Sequence, residues 1–196
     1  MLTVIIPTLD AEAGLARTLA ALVPAAADGI VREVVVGDGG SRDGTEVVAD
    51  AAGCGYVSTP GSWGARVSAA VRESRRAPWI MILPPDVVLE GDWFREVGHF
   101  IERVERAGEA DRMAAVFSLA LASFGFQARL REYWSALRTR VLGRPSETQG
   151  LILSRQMWDR LTRGRTLDRH GDAVRAIGRG RIHMLRAQAV ASDERD

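Results

Sequence analysis

Lysine is absent from this chain, and all 26 of its basic residues are arginines. Without lysine there is no P-loop ammonium to reach phosphates and no amine for Schiff-base chemistry. Cysteine is nearly absent too. Cys54 stands alone, which excludes a disulfide framework and a cysteine metal site. Charge almost cancels, at +1, so the balance gives no signal for nucleic acid as a partner. No apolar run is long enough to span a bilayer. The opening Met1-Leu2-Thr3-Val4-Ile5-Ile6-Pro7 is apolar but too short for a signal peptide, and no basic segment precedes it. A cytoplasmic protein is the simplest reading. What remains is a chain of 196 residues, 46% hydrophobic, sufficient to bury a real core within a single domain.

The hydrophobic pattern alternates between strand and helix signals. Leu2 to Pro7 reads as a strand, and Leu15, Leu19, Leu22 and Val23 recur at helical spacing. Ile30 to Val36 is a second strand. Asp43 and Glu46 then have capping-box spacing, with Val47, Val48 and Ala51 as the apolar face of the following helix. Tyr56 to Ser58 reads as a short strand, Ala65 to Arg76 as a helix, and Trp79 to Leu83 as a buried strand stopped by Pro84-Pro85. This alternation predicts an α/β fold with a mainly parallel sheet covered by helices. Further on, a helix is expected over Asp92 to Arg106, with Trp93, Val97, Phe100, Ile101 and Val104 as its stripe. Strands are expected over Met113 to Leu121, Leu151 to Leu153 and Ile182 to Leu185. Helices are expected over Arg129 to Leu142, Gln156 to Leu161 and Asp172 to Ile177, and a surface loop over Ala107 to Arg112.

Three strand ends carry acids: Asp10 with Glu12, Asp38, and Asp86. Ligands of open α/β sheets bind at the carboxyl ends of the strands. Three acids there, from strands expected to be neighbours, predict one shared cleft. The most specific stretch is Val34-Val35-Val36-Gly37-Asp38-Gly39-Gly40-Ser41-Arg42-Asp43-Gly44-Thr45. It lacks the Gly-x-Gly-x-x-Gly spacing of a dinucleotide fingerprint. Its glycines alone permit turns, and Asp43 alone reads as a helix cap.

Taken with Pro7-Thr8-Leu9-Asp10-Ala11-Glu12 and Pro84-Pro85-Asp86, this stretch resembles family 2 glycosyltransferases. Their pattern runs strand-Pro-Thr-x-Asn-Glu, strand-Asp-Asp-Gly-Ser-x-Asp-Gly-Thr, then Asp-x-Asp. A compact bacterial subgroup is more similar still, through Gly64-Ala65-Arg66, the Leu137 to Pro145 segment and Gln149-Gly150-Leu151-Ile152. The resemblance implies a GT-A fold, a single Rossmann-like, mainly parallel sheet flanked by helices. It spans 1–196 as one domain, with 1–90 binding the nucleotide and 91–196 serving acceptor and metal. It implies a nucleotide-sugar donor, a UDP-sugar foremost, an unidentified acceptor, and inversion at the anomeric carbon. The backbone at Pro7 and Thr8 and the Asp38 carboxylate would hold the base, which offers a ring N–H to a carboxylate acceptor. Asp10 and Gly39 belong to the same edge, and Arg66 would reach the base or the diphosphate. Asp86 matches the last acid of Asp-x-Asp and would bind Mg²⁺ or Mn²⁺, for which oxygen ligands are suited.

The chain departs from the family pattern at three points. Pro84 replaces the first acid of Asp-x-Asp, and Glu147-Thr148-Gln149 stands where the subgroup has Gly-Asp-Gln. Arg169 and His170 fall on the Glu-Asp pair that carries the family's base. Asp168, His170 and Asp172 are the remaining candidates for it, and His170 has a suitable intrinsic pKa. A lone histidine in an arginine-rich loop is ordinarily solvent-exposed. His99, His183 and Cys54 read as structural or exposed. Two further readings compete: a nucleotide-sugar-binding module without catalysis, and a nucleotidyltransferase, whose glycine-rich basic loop near the N-terminus is missing. The arginines crowded between Arg129 and Arg186 fit a solvated face best. Tyr133 and Trp134 among them suggest peripheral membrane contact, but a core-packing helix with a basic outer face is favoured.

Overall fold

The computed structural model of the protein describes residues 1–74, 77–121, 147–165, 167–178 and 180–191. All seven residues of β1, Leu2–Thr8, are buried. That is the expected state of a strand covered on both faces, where hydrophobic runs replace alternation. Leu2, Val4 and Ile6 enter the core on one face while Ile5 enters the core on the other, as the two-residue period of a strand requires.

The chain continues through α1 (Glu12–Ala27), β2 (Val31–Asp38), α2 (Thr45–Ala51), β3 (Gly55–Ser58), α3 (Trp63–Glu73) and β4 (Trp79–Ile82). There follow β5 (Val87–Leu89), α4 (Trp93–Arg106) and β6 (Ala114–Leu121). A 3-10 turn at Glu147–Gln149 leads to β7 (Leu151–Ser154), α5 (Arg155–Thr162), α6 (His170–Ile177) and β8 (Ile182–Ala191). The described strands form one sheet in the order β3-β2-β1-β4-β7-β6-β8-β5. The pairs β3/β2, β2/β1, β1/β4 and β6/β8 are parallel. The pairs β4/β7, β7/β6 and β8/β5 are antiparallel. The sheet is therefore parallel through the first four strands and mixed beyond them. Connections run from β1 outward to β3 and then return to the far side of β1 as β4. The carboxyl ends of β1 and β4 thus flank the switch point where such sheets open a crevice.

Helices α1 and α4 cover one face, through Leu15, Leu19 and Leu22 and through Trp93, Val97, Phe100, Ile101 and Val104. Helices α3, α5 and α6 cover the other, through Val67, Ala70 and Val71, Met157 and Trp158, and Ala173 and Ile177.

Three features differ from the sequence expectation. Val23 is 63% exposed and Val47 72% exposed, so neither faces the core. The inward side of α2 is Thr45 and Ala49 instead; seven residues are too few for periodicity to choose the face. The N-cap of α2 is Gly44, so Asp43 lies one residue outside the helix. Strand β5 was not anticipated because three residues carry no readable period. The expected helix over 129–142, with Tyr133 and Trp134, and the 137–145 segment lie outside the described residues. Among the described residues no helix is long and apolar enough to cross a membrane.

Candidate functional site

The loops after β1 and β2 are cross-braced by the motif residues themselves. Asp10 N–H donates to Ser41 Oγ at 2.8 Å, and Arg42 N–H donates back to Asp10 Oδ1 at 2.8 Å. Ala11 N–H donates to Thr45 Oγ1 and Glu12 N–H to Asp43 Oδ2, each at 3.0 Å. Gly44 N–H returns to Glu12 Oε2 at 3.0 Å. A Cβ on Gly44 would come within 2.6 Å of the Glu12 carboxyl carbon, so a side chain there would push the Glu12 carboxylate out of the brace. Asp10 takes a left-handed backbone, φ +48°, which non-glycine residues adopt reluctantly.

Asp38 sits beneath this brace and is fully buried. Its Oδ1 accepts from the Thr8 hydroxyl at 2.9 Å and from the Ser41 hydroxyl. Its Oδ2 accepts from the Gly40 and Ser41 N–H groups, both at 2.7 Å. Burial alone would raise its pKa. Bonds from the Ser41 hydroxyl and N–H, the Gly40 N–H and the Thr8 hydroxyl outweigh burial and lower it to about 2. The carboxylate thus receives two donors on each oxygen, three from its own loop and one from Thr8 at the end of β1. Asp43 is likewise held below the usual carboxylate range, chiefly by the Thr45 hydroxyl.

Arg66 reaches the same region from α3. Its Nη1 donates to the Thr8 carbonyl at 2.7 Å, while its buried Nε has no partner among the described residues. Gly37 makes this approach possible, since a Cβ there would meet the Arg66 carbonyl oxygen. At Gly39 a Cβ would lie 3.3 Å from Arg66 Cδ and from Leu9 Cδ1. Trp63 is three residues before Arg66, on the same face of α3.

His170 opens α6 and is 2% exposed, in contrast to the exposed position its arginine-rich surroundings suggest. Its ring meets Trp63 edge-on, centroids 5.8 Å apart, and among the described residues neither ring nitrogen has a hydrogen-bond partner. Burial lowers its pKa to about 4, so the imidazole is neutral at pH 7. The segment leading into it is seated by Gly64, where a Cβ would overlap the Leu167 carbonyl oxygen.

A cleft of about 760 Å³ joins these parts, lined by Pro7, Leu9, Asp10, Glu12, Arg17, Trp63, Arg66, Pro84, Asp86, Thr148 and His170 among others. Its volume suits a ligand of nucleotide-sugar size. Of the residues singled out from sequence, Pro7, Asp10, Arg66, Asp86 and His170 meet here. Thr8, Asp38 and Gly39 do not line the cleft, nor do Asp168 and Asp172. Asp168 is exposed. Asp172 caps α6, accepting from Arg169 N–H at 3.1 Å and pairing with Arg175 at 2.9 Å. Trp63 and Arg17 were missed in the sequence. The signal for Trp63 was its spacing from Arg66; for Arg17, in a run of helix formers, there was none.

Asp86, half-buried at the end of β4, is the one acid its strand end contributes, because Pro84 has no ligating side chain. Among the described residues no group of three or more His, Cys, Asp or Glu is placed to hold a metal ion. A single carboxylate fits an ion that arrives with phosphate ligands, as Mg²⁺ commonly does. It does not fit an ion bound tightly by protein alone.

Residues 3–119 match the family model described as Glycosyl transferase family 2. The glucosyl-3-phosphoglycerate synthase of Mycobacterium tuberculosis, in complex with Mn²⁺ and UDP-glucose, superposes with a TM-score of 0.66 at 19% identity. That alignment covers 100% of this chain and 72% of that one. The same enzyme with Mn²⁺, UDP and glucosyl-3-phosphoglycerate gives 0.64 at 19% identity, over 99% and 72%. A structure described as a mycobacterial protein gives 0.66 at 21% identity, over 100% and 68%. At such identities the likeness is one of fold. No curated protein sequence matches the chain significantly.

Proposed function

Because the chain belongs to glycosyltransferase family 2, we propose that it moves a sugar from a UDP-linked donor to an acceptor hydroxyl. The observation that carries this is the convergence of Pro7, Arg66, Asp86 and His170, from four separate elements, on one cleft at the switch point of the sheet. The backbone after β1, Leu9 and Arg66 would bind the nucleoside end. Asp38 would act on that subsite indirectly, by fixing the turn that carries the brace. The Arg66 guanidinium would offset donor charge. Asp86 would hold a divalent cation brought by the donor, Mn²⁺ or Mg²⁺. When bound, that ion stabilises charge gathering on the departing diphosphate.

The chemistry is a displacement. The acceptor oxygen bonds to the anomeric carbon as the bond to the diphosphate oxygen breaks, and UDP leaves with that electron pair. The hydroxyl proton must pass to a base. Of Asp168, His170 and Asp172, His170 alone lines the cleft, and it is proposed as the group facing that hydroxyl. With a pKa near 4 it is a weak base in the nucleotide-free chain. That property favours a second reading, a nucleotide-sugar-binding module that does not turn over. Both are tested by measuring UDP and UDP-sugar affinity with and without Mn²⁺, together with donor consumption. Metal-enhanced binding lost in Asp86→Ala, with donor consumption lost in His170→Ala, supports the transferase. Binding without any consumption supports the module. Absence of nucleotide binding overturns both.

A further inference from the structure

Asp86 lies in the bend between β4 and β5, and α1 holds that bend through two residues outside every motif. Thr18 is fully buried. Its hydroxyl donates to the Pro85 carbonyl at 2.8 Å and lies 2.9 Å from the Val87 carbonyl. A hydroxyl has one proton, which is therefore shared between the two peptide carbonyls that flank Asp86 in the chain. Helical threonines ordinarily return the hydroxyl to a carbonyl of their own preceding turn; this one is directed at the bend instead. Gly14, one turn earlier on the same face of α1, completes the seat. A Cβ there would stand 2.8 Å from the Pro85 carbonyl oxygen and 3.4 Å from the Asp86 Cα.

We infer that Thr18 and Gly14 are positioning residues that hold the 84–87 bend so that Asp86 meets the cation carried by the donor diphosphate. The inference rests on the donor-site reading above. Its physical basis is the lack of redundancy at this strand end. With Pro84 beside it, Asp86 has no neighbouring acid to compensate for a shifted backbone. Groups that orient a metal's ligands commonly change affinity 10–100-fold when lost.

The test uses the whole chain, with UDP as probe, titrated calorimetrically with and without Mn²⁺. Thr18→Val keeps the shape and removes the donor. It is expected to cut the Mn²⁺-dependent gain in UDP affinity about tenfold while leaving metal-free UDP affinity unchanged. Thr18→Ser is expected to restore the gain, and Gly14→Ala to reduce it. In the metal-free chain, hydrogen exchange across 83–90 should quicken in Thr18→Val. Should Thr18→Val fail to fold, Thr18→Ser and Gly14→Ala decide the matter alone: an ordinary Mn²⁺ gain in Gly14→Ala overturns the inference. A gain retained in Thr18→Val, or equal loss of affinity with and without metal, also overturns it while leaving the donor-site reading intact. A wild-type chain that binds UDP indifferently to Mn²⁺ overturns the metal-assisted reading and this inference together. A chain that does not bind UDP overturns the donor site itself.

Discussion

At the scale of single residues, the buried polar groups dominate. Asp38 gathers four donors onto one carboxylate, and Asp38→Asn would turn an amide donor toward backbone N–H groups. A loss of about 1–3 kcal/mol is expected in urea unfolding, the usual cost of stranding buried donors. The pH dependence follows from the lowered pKa. Asp38 contributes its stability above pH 3.8, the unfolded value, and loses it as pH falls toward 2. Acid titration of unfolding midpoints should show this loss in the wild type and not in Asp38→Asn. His170 behaves differently. Its folded pKa is near 4 against 6.5 unfolded. As pH falls from 6.5 to 4 the unfolded chain takes up a proton that the folded chain refuses, so stability declines across that window. His170→Gln should flatten the decline, and a wild-type profile identical to the variant's would refute the buried neutral imidazole. None of this was legible in sequence. The partners of Asp38 include Thr8, thirty residues away, and nothing around His170 marks it as buried.

At the scale of elements, glycines govern how the cleft's walls meet. Gly64→Ala must displace the Leu167 carbonyl from the first turn of α3. An overpacking cost of about 1–3 kcal/mol is expected, accompanied by movement of the His170 imidazole signals in NMR spectra. Gly171, inside α6, has open space around it. Gly171→Ala should therefore stabilise the helix by up to about 1 kcal/mol. Equal thermal shifts for the two variants would argue against the seat. Strands and long helices were readable because burial repeats along them: the stripe of α4 falls on Trp93, Val97, Phe100, Ile101 and Val104 as its spacing predicts. Short α2 escaped that logic, since two residues inward and one outward fit several phases.

At the scale of the whole molecule, the cleft joins parts of the sheet brought together by its crossover, and ligand binding should report on the entire fold. UDP with Mn²⁺ is expected to raise the unfolding temperature, with about 2.7 kcal/mol of stabilisation at one hundred times Kd. A chelator should not change the nucleotide-free chain, because no described cluster holds a metal by itself. Chelator-induced destabilisation of that chain would reveal a resident ion and overturn the single-carboxylate account.

The amino-acid order alone determined the α/β alternation, the buried central strands and the glycine-acid motifs of a family 2 glycosyltransferase. These are local properties, written in runs of β-branched residues and in turn chemistry. Tertiary structure alone decided where each motif residue sits and what it touches. Asp38 is held in its hydrogen-bonded turn, Asp172 caps a helix, and Asp43, Asp86 and His170 line the cleft. Several of the deciding contacts come from elements far off in the chain, as Thr8 does for Asp38. Thr18 under the Pro85 and Val87 carbonyls is such a contact, and no spacing rule along the chain encodes it.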